Sequence, residues 1–367
     1  MIEIIPPTIP LRAHLSAGVK GEYLPSVINP DGSEEFPLGR EWIPNVITNI
    51  GIDYWMNNAS YYAINDNRDR TLENSIAWAR AGTGTADALP SDQNLVNQLA
   101  GPTLAPTNTT FTGAGANASD LSSAASAGTV MHKITKQFAA AGSNVTVTEV
   151  GLGWQSTGNT LFSRVKLPSG IALTTGQILR LAYQLTVSLP QFNTASTISG
   201  LSSGTPPNSF DLAGSLRWAG TAARVFGNLN SNGEFSTNSD NGKLWLQIAQ
   251  GGSNDTLALL TNSSFPAVGA NGSWTGVAGD LTNAEASSSK TYTGTGNAVD
   301  TKYWDGIYTF GASSPANTVT TVRSLVWDAT SPFTAKGSAP MILLSSNQTK
   351  SNLYQLQIGL RTSWARI

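Results

Sequence analysis

The sequence predicts an all-β protein: two tandem β-sandwich domains related by internal duplication, preceded by an extended N-terminal arm. Three observations lead there. First, a stretch near the middle recurs near the C-terminus. NVTVTEVGLGW (144–154) matches NTVTTVRSLVW (317–327) at Asn144/Asn317, Thr148/Thr321, Leu152/Leu325 and Trp154/Trp327. ALTTGQILRLAYQLTVSL (172–189) lies without a gap over LLSSNQTKSNLYQLQIGL (343–360), pairing Gln177 with Gln348 and Tyr183-Gln184-Leu185 with Tyr354-Gln355-Leu356. A repeat of long period marks packed units. Second, both copies alternate as strands do, with Tyr183, Leu185, Val187 and Leu189 on one face and Tyr354, Leu356, Ile358 and Leu360 on its equivalent. Third, short apolar runs are separated by frequent turn signals, and no helical period persists beyond a few turns.

The elements follow in order. Residues 1–17 form the arm: Pro6, Pro7 and Pro10 forbid helix and favour an extended course, and Ile4, Ile5, Ile9 and Leu11 are hydrophobes on a segment too short to fold alone. Such an arm docks on its own domain or on a neighbour. The first sandwich covers 18–191. It opens with two strands around the turn Asn29-Pro30-Asp31-Gly32. Ile47–Trp55 fits either a strand or a short helix. IAWARAGTG reads as strand and glycine loop, followed by a segment starting at Asp92. Residues 100–128, rich in Gly, Ala, Ser, Thr and Asn, read as a long excursion. MHKITKQFAA, EVGLGW, LFSRVKL and RLAYQLTVSL complete the sheets. A linker at 192–209 leads to the second sandwich, 210–367. There KLWLQIAQGG stands for IAWARAGTG, Phe310 for Phe138, and Asn262–Val299 forms a second excursion. The predicted core of the repeat is Trp154, Phe162, Tyr183 and Leu185 in the first copy, and Trp327, Tyr354 and Leu356 in the second.

Composition narrows the function. Charged residues are 12 % of 367, about half the ~25 % usual for soluble domains. The exterior is therefore polar but mostly uncharged, which suits packing against further copies of the chain. A net charge of −2 supplies no basic field for nucleic acid or anionic lipid. Cys 0 excludes disulfides, thiol catalysis and thiolate metal sites. No apolar run reaches the ~18 residues that a membrane-spanning helix needs, and the proline-broken start with Glu3 does not read as a signal peptide.

Catalytic constellations are weak, and neither cofactor nor metal is expected. A Ser-His-Asp triad would have to use His14 or His132, and no G-x-S-x-G turn exists. Metal spacings of the H-E-x-x-H or paired-Cys kind are missing. Glycosidase carboxylates would come from the turns holding Asp31, Glu34 and Glu35 or from the polar run around Asp66 and Asp69, neither an obvious facing pair. Asn228–Gly233 resembles the start of a calcium loop but has Ser239 where the twelfth-position Glu belongs. The glycine loop at Gly82 lacks the Lys and helix of a phosphate cradle. Asn58, Asn117 and Asn271 sit in N-x-S/T sequons that composition alone explains.

Three motifs carry a resemblance. Asn45, Ile47, Thr48, Gly51 and Asp53 form the first; Gly82, Thr83, Gly84, Pro90 and Leu95 the second; Glu149, Gly151, Trp154, Leu161, Phe162, Ser163, Arg164 and Tyr183 the third. Over residues 18–190 the chain resembles a module of tailed-bacteriophage structural proteins of the tail-fibre, collar or baseplate-associated type. The second half joins only through the internal repeat, where L-F-S-R becomes PFTAK. The resemblance implies a non-enzymatic virion component whose partners are further copies of itself and other virion proteins. The alternative expectation is a receptor-binding protein that recognises host surface glycan.

Overall fold

The computed structural model describes residues 11–57, 75–111, 129–188, 196–198, 202–203, 210–219, 256–260, 263–265, 267–268, 274–275, 291–292, 301–310, 320–328, 339–350 and 356–367. Within them the protein is all-β, built of several sheets, antiparallel but for one parallel strand pair, with a single short α-helix.

The chain opens with the long strand β1 (Leu11–Ile28), followed by three two-residue strands: β2 (Glu34–Glu35), β3 (Ile43–Pro44) and β4 (Val46–Ile47). Helix α1 (Asn49–Asn57) comes next, then β5 (Trp78–Gly82), β6 (Thr129–Ala140), β7 (Val145–Gly153), β8 (Leu161–Leu173) and β9 (Ile178–Ser188). Beyond these lie β10 (Ser196–Ile198), β11 (Ser202–Ser203), β12 (Phe210–Asp211), β13 (Gly214–Ala219), β14 (Thr256–Leu260), β15 (Ala267–Val268), β16 (Trp274–Thr275) and β17 (Thr291–Tyr292). The last four are β18 (Thr301–Phe310), β19 (Thr320–Asp328), β20 (Ala339–Lys350) and β21 (Leu356–Arg366).

The turn after β1 follows its residues. Gly32 has φ 85°, its N–H returns to the Asn29 carbonyl at 2.9 Å, and the Asn29 N–H meets the Ser33 carbonyl. Pro30, Asp31 and Gly32 thus make a three-residue hairpin loop with glycine at the left-handed position. The ambiguous stretch at Ile47–Trp55 divides: Ile47 pairs in β4, and from Asn49 onward the chain is α1. Thr48 starts the helix. Its hydroxyl oxygen accepts the Gly51 N–H at 2.9 Å, an N-cap, while donating to the Leu161 carbonyl at 2.5 Å. Those two hydrogen bonds place the helix on β8, and Gly51 completes the contact, since a Cβ there would collide with the Phe162 backbone.

One sheet runs β17-β18-β21-β1-β9-β6, with β2 and β3 also on β1. A second runs β4-β8-β7-β5 and a third β10-β13-β20-β19-β14. The first two face each other through Tyr23 on β1, whose ring lies 4.8 Å from that of Tyr183 and whose hydroxyl meets the Ser163 hydroxyl on β8 at 2.6 Å. Alternation puts Leu179, Leu181, Tyr183 and Leu185 of β9 on one buried face.

β1 is shared between the halves of the chain. Residues 18–28 pair antiparallel with β9, and residues 11–19 pair parallel with β21, from Leu11↔Ile358 to Val19↔Arg366. The expected boundary between an arm ending at residue 17 and a domain beginning at 18 falls inside this continuous strand. The expected linker at 192–209 contains β10, hydrogen-bonded to β13, and β11, hydrogen-bonded to β12.

The second and third sheets share the core order β4-β8-β7-β5 and β13-β20-β19-β14. They also share an irregularity. Val147 pairs with Ile171 and Glu149 with Lys166, so one residue of β7 spans four of β8; Val322 pairs with Gln348 and Ser324 with Leu343, so one residue of β19 spans four of β20. This correspondence differs from the sequence match. It equates Glu149 with Ser324 and Leu173 with Lys350, where the match sets Thr148 on Thr321 and Leu173 on Leu344. Leu356 accordingly opens β21, whereas its sequence counterpart Leu185 lies well inside β9. Apolar alternation is the same at many registers, so only the hydrogen-bonded ladder selects one. The strand beside β19 is β14; KLWLQIAQGG lies outside the described residues, as do residues 112–128 of the first excursion.

Candidate functional site

The densest polar constellation gathers where the loop after β5 crosses β7 and β8. Glu149 is fully buried on β7, and its carboxylate accepts four N–H groups. Three are backbone donors, Gly84 at 3.1 Å, Val96 at 3.1 Å and Asn97 at 2.8 Å; the fourth is Arg164 Nε at 2.8 Å. Arg164 is fully buried on β8. Its remaining nitrogens donate to Asp92 Oδ2 at 2.6 Å, the Asp87 carbonyl at 3.0 Å and the Ala86 carbonyl at 2.7 Å. Burial pulls the guanidinium pKa down, but the bonds to Asp92 and Glu149 outweigh it and the pKa is raised. Asp92 also accepts the Leu89 N–H, closing the turn Leu89–Asp92. Outside, Lys166 pairs with Asp87 at 2.8 Å and lowers its pKa.

Glycines make the loop's close approach possible. A Cβ at Gly82 or Gly84 would strike the Glu149 carboxylate, and one at Gly151 would strike the Ser163 carbonyl and Leu161. The glycine loop at Gly82 therefore wraps a carboxylate of its own chain.

A second buried cation closes the other end. Arg80 on β5 donates Nε to the Gln155 carbonyl at 3.0 Å and Nη1 to the Gly158 carbonyl at 3.2 Å, and Nη2 to the Thr160 hydroxyl. These neutral partners hold the β7–β8 loop, and desolvation brings the Arg80 pKa down to about 10. Beside this loop the rings of Trp154 and Tyr54 stack at 4.1 Å with 6° between planes, both half-buried.

The third polar group is the tyrosine pair between the sheets. Gly21 leaves room for the Tyr183 hydroxyl and the Asn45 side chain, which a Cβ would displace. Burial raises the pKa of Tyr183 and of Tyr23, and for Tyr23 the neighbouring Tyr183 adds to the rise. Folding therefore favours the neutral phenols. Their contribution to stability is whole below the ordinary value of 10.0 and is lost as pH climbs from there toward the folded values. Tyr183→Phe is expected to lessen the alkaline loss of unfolding free energy above pH 10.0, measured by urea titration at a series of pH values. An unchanged slope would mean that Tyr183 ionises as readily folded as unfolded.

The predicted site residues are distributed as follows. Ile4, Ile5, Pro6, Pro7 and Ile9 lie outside the described residues. Leu11 begins β1 opposite Ile358. Phe162, Tyr183, Leu185 and Leu356 are buried, whereas Trp154 is only half-buried. Trp327 sits in β19 opposite Leu257, and Tyr354 lies outside the described residues. The side chains of His14 and His132, and residues 66–69 and 228–239, also lie outside them. Asp31 accepts from Ser33, Glu34 from Ser26 and Glu35 from Asn29, all turn contacts. No group of three or more His, Cys, Asp or Glu able to hold a metal occurs among the described residues.

Sequence reasoning missed Arg80 and took Asp92 only as the start of a segment. The signal for Arg80 was an arginine amid small residues in the strand WARAG, where a long side chain has room to turn inward. No family model, curated protein or solved structure matches this chain.

Proposed function

We propose that this chain is a non-enzymatic structural component of a tailed-bacteriophage particle, located in the tail-fibre, collar or baseplate region. In this reading its two halves are duplicated β-sandwiches, and it assembles with other copies and other virion proteins through its N-terminal segment and sheet surfaces. One observation carries the functional reading. Several motif residues that resemble the phage module fasten neighbouring segments onto β7 and β8: Thr48 and Gly51 seat α1 on β8, while Glu149 and Arg164 bind the loop 82–99. Each charged group there is saturated by backbone or ionic partners, so the motifs act as fasteners that give the chain a fixed outline. The duplication is supported by the shared order of β4-β8-β7-β5 and β13-β20-β19-β14 and by the repeated irregularity.

Immunogold electron microscopy of purified particles tests the reading: label is expected at the tail, collar or baseplate. Deleting residues 1–12 is expected to leave the fold intact, because Ala13–Val19 keep their partners on β21, while incorporation into particles is lost. Particles that never carry the label would remove the proposal; normal incorporation of the truncated chain would remove the arm's part in it.

A second reading, a receptor-binding protein for host surface glycan, is favoured by the half-exposed Tyr54–Trp154 stack, since flat aromatic faces suit sugar rings. Under it, glycan-array binding is expected and is lost in Trp154→Ala.

A further inference from the structure

The contact between the halves of the chain is a heterologous junction. One side is the edge of β1 from Leu11 to Val19, together with Ile47 and Asn49; the other is β21 and the residue after it. Nine residues of each strand are paired in parallel. Arg366 donates from Nη2 to Asn49 Oδ1 at 2.6 Å and from Nε to the Ile47 carbonyl, and the Ile367 N–H meets the Val19 carbonyl at 3.0 Å. Gly18 belongs to the same fit, since a Cβ there would strike the Ile367 side chain. The two sides come from segments far apart in sequence, and between β9 and β10 the chain that connects the halves is only residues 189–195.

We propose that this junction also forms between copies, with β21 of one chain pairing with Leu11–Val19 of the next. Every contact of the junction is available unchanged in that arrangement, because β1 is anchored in the first half by its residues 18–28 on β9, and β21 in the second half by β18. The choice then depends on effective concentration: the tether favours closure in dilute solution, and a dense assembly favours exchange. A short connection between exchanging units tips the balance further toward exchange. Each copy would offer one unused β1 edge and one unused β21 edge, so the arrangement propagates head to tail and closes only as a ring. The occupant is therefore a second copy of this chain, and the inference rests on the assembly reading above.

Ser16 and Ser363 are partners in the ladder, and the chain has no cysteine, so engineered pairs report without background. Full-length Ser16→Cys and Ser363→Cys chains of different tag length are co-expressed, assembled, oxidised and run on a non-reducing gel. A covalent heterodimer bridging Cys at 16 to Cys at 363, identified by peptide mass, is expected, together with a ladder of multimers from the double variant. A double variant that closes only within its own chain overturns exchange, as does failure of any variant to cross-link. Light scattering on the unmodified protein separates the two readings. An oligomer with purely intrachain links removes exchange but leaves assembly standing, whereas a monomer under assembly conditions removes both.

Discussion

Replacing Arg164 with Met is expected to destabilise the protein by about 3–5 kcal/mol, because it strands the buried Glu149 carboxylate and takes the cation from the half-buried Asp92. Glu149 would keep its three backbone donors but lose its cation, and Asp92 would lose the charge that holds the turn Leu89–Asp92. The other half of the chain suggests the control. Counted along the ladders from the shared irregularity, Ser324 and Met341 stand where Glu149 and Arg164 stand, and both are buried. The double variant Glu149→Ser with Arg164→Met should therefore cost less than the two single changes added together, with coupling of about 1–3 kcal/mol. Urea unfolding of the four proteins of this cycle measures it. Strictly additive effects would mean that the ion pair does not act as a unit.

The second large effect is expected at Phe162. Its side chain is fully buried, and its backbone carries α1, accepting the Thr48 N–H at 2.8 Å and lying against Gly51. Phe162→Ala should cost about 3–5 kcal/mol through lost burial and the cavity left behind. Trp154→Ala is the comparison. Half-buried and stacked on Tyr54, this larger residue should lose less, about 1–2 kcal/mol. The order of the two losses in denaturant titrations decides the point, and a greater loss at Trp154 would contradict the geometry. Size alone ranks tryptophan first; burial reverses the ranking.

These two sites show how far the sequence could be read. Period-two alternation in Tyr183, Leu185, Val187 and Leu189 marked a strand, because side chains on a pleated strand can point in only two directions. Asn29-Pro30-Asp31-Gly32 marked the turn after β1 because glycine adopts a left-handed φ without steric cost. Local chemistry of this kind acts within a few residues, and it was enough to give the all-β class and most strands of the first half. Thr48 was less legible. Its value as a helix cap depended on β8 arriving to receive its proton, so the segment could be read as strand or helix until both were present.

What only the tertiary structure decided was long-range. The sequence match placed the halves in one register and the ladder in another, because an apolar-alternating strand tolerates any even shift until hydrogen bonds select one. Arg164 and Glu149 are ordinary surface residue types by composition, and their burial depends on three segments meeting, with Asp92 on one of them, so that each charge finds partners at once. The double role of β1 was hidden for the same reason. The chain from 11 to 28 encodes a strand by itself, but which strands take its two edges depends on where β9 and β21 come to lie, and that is a property of the folded molecule.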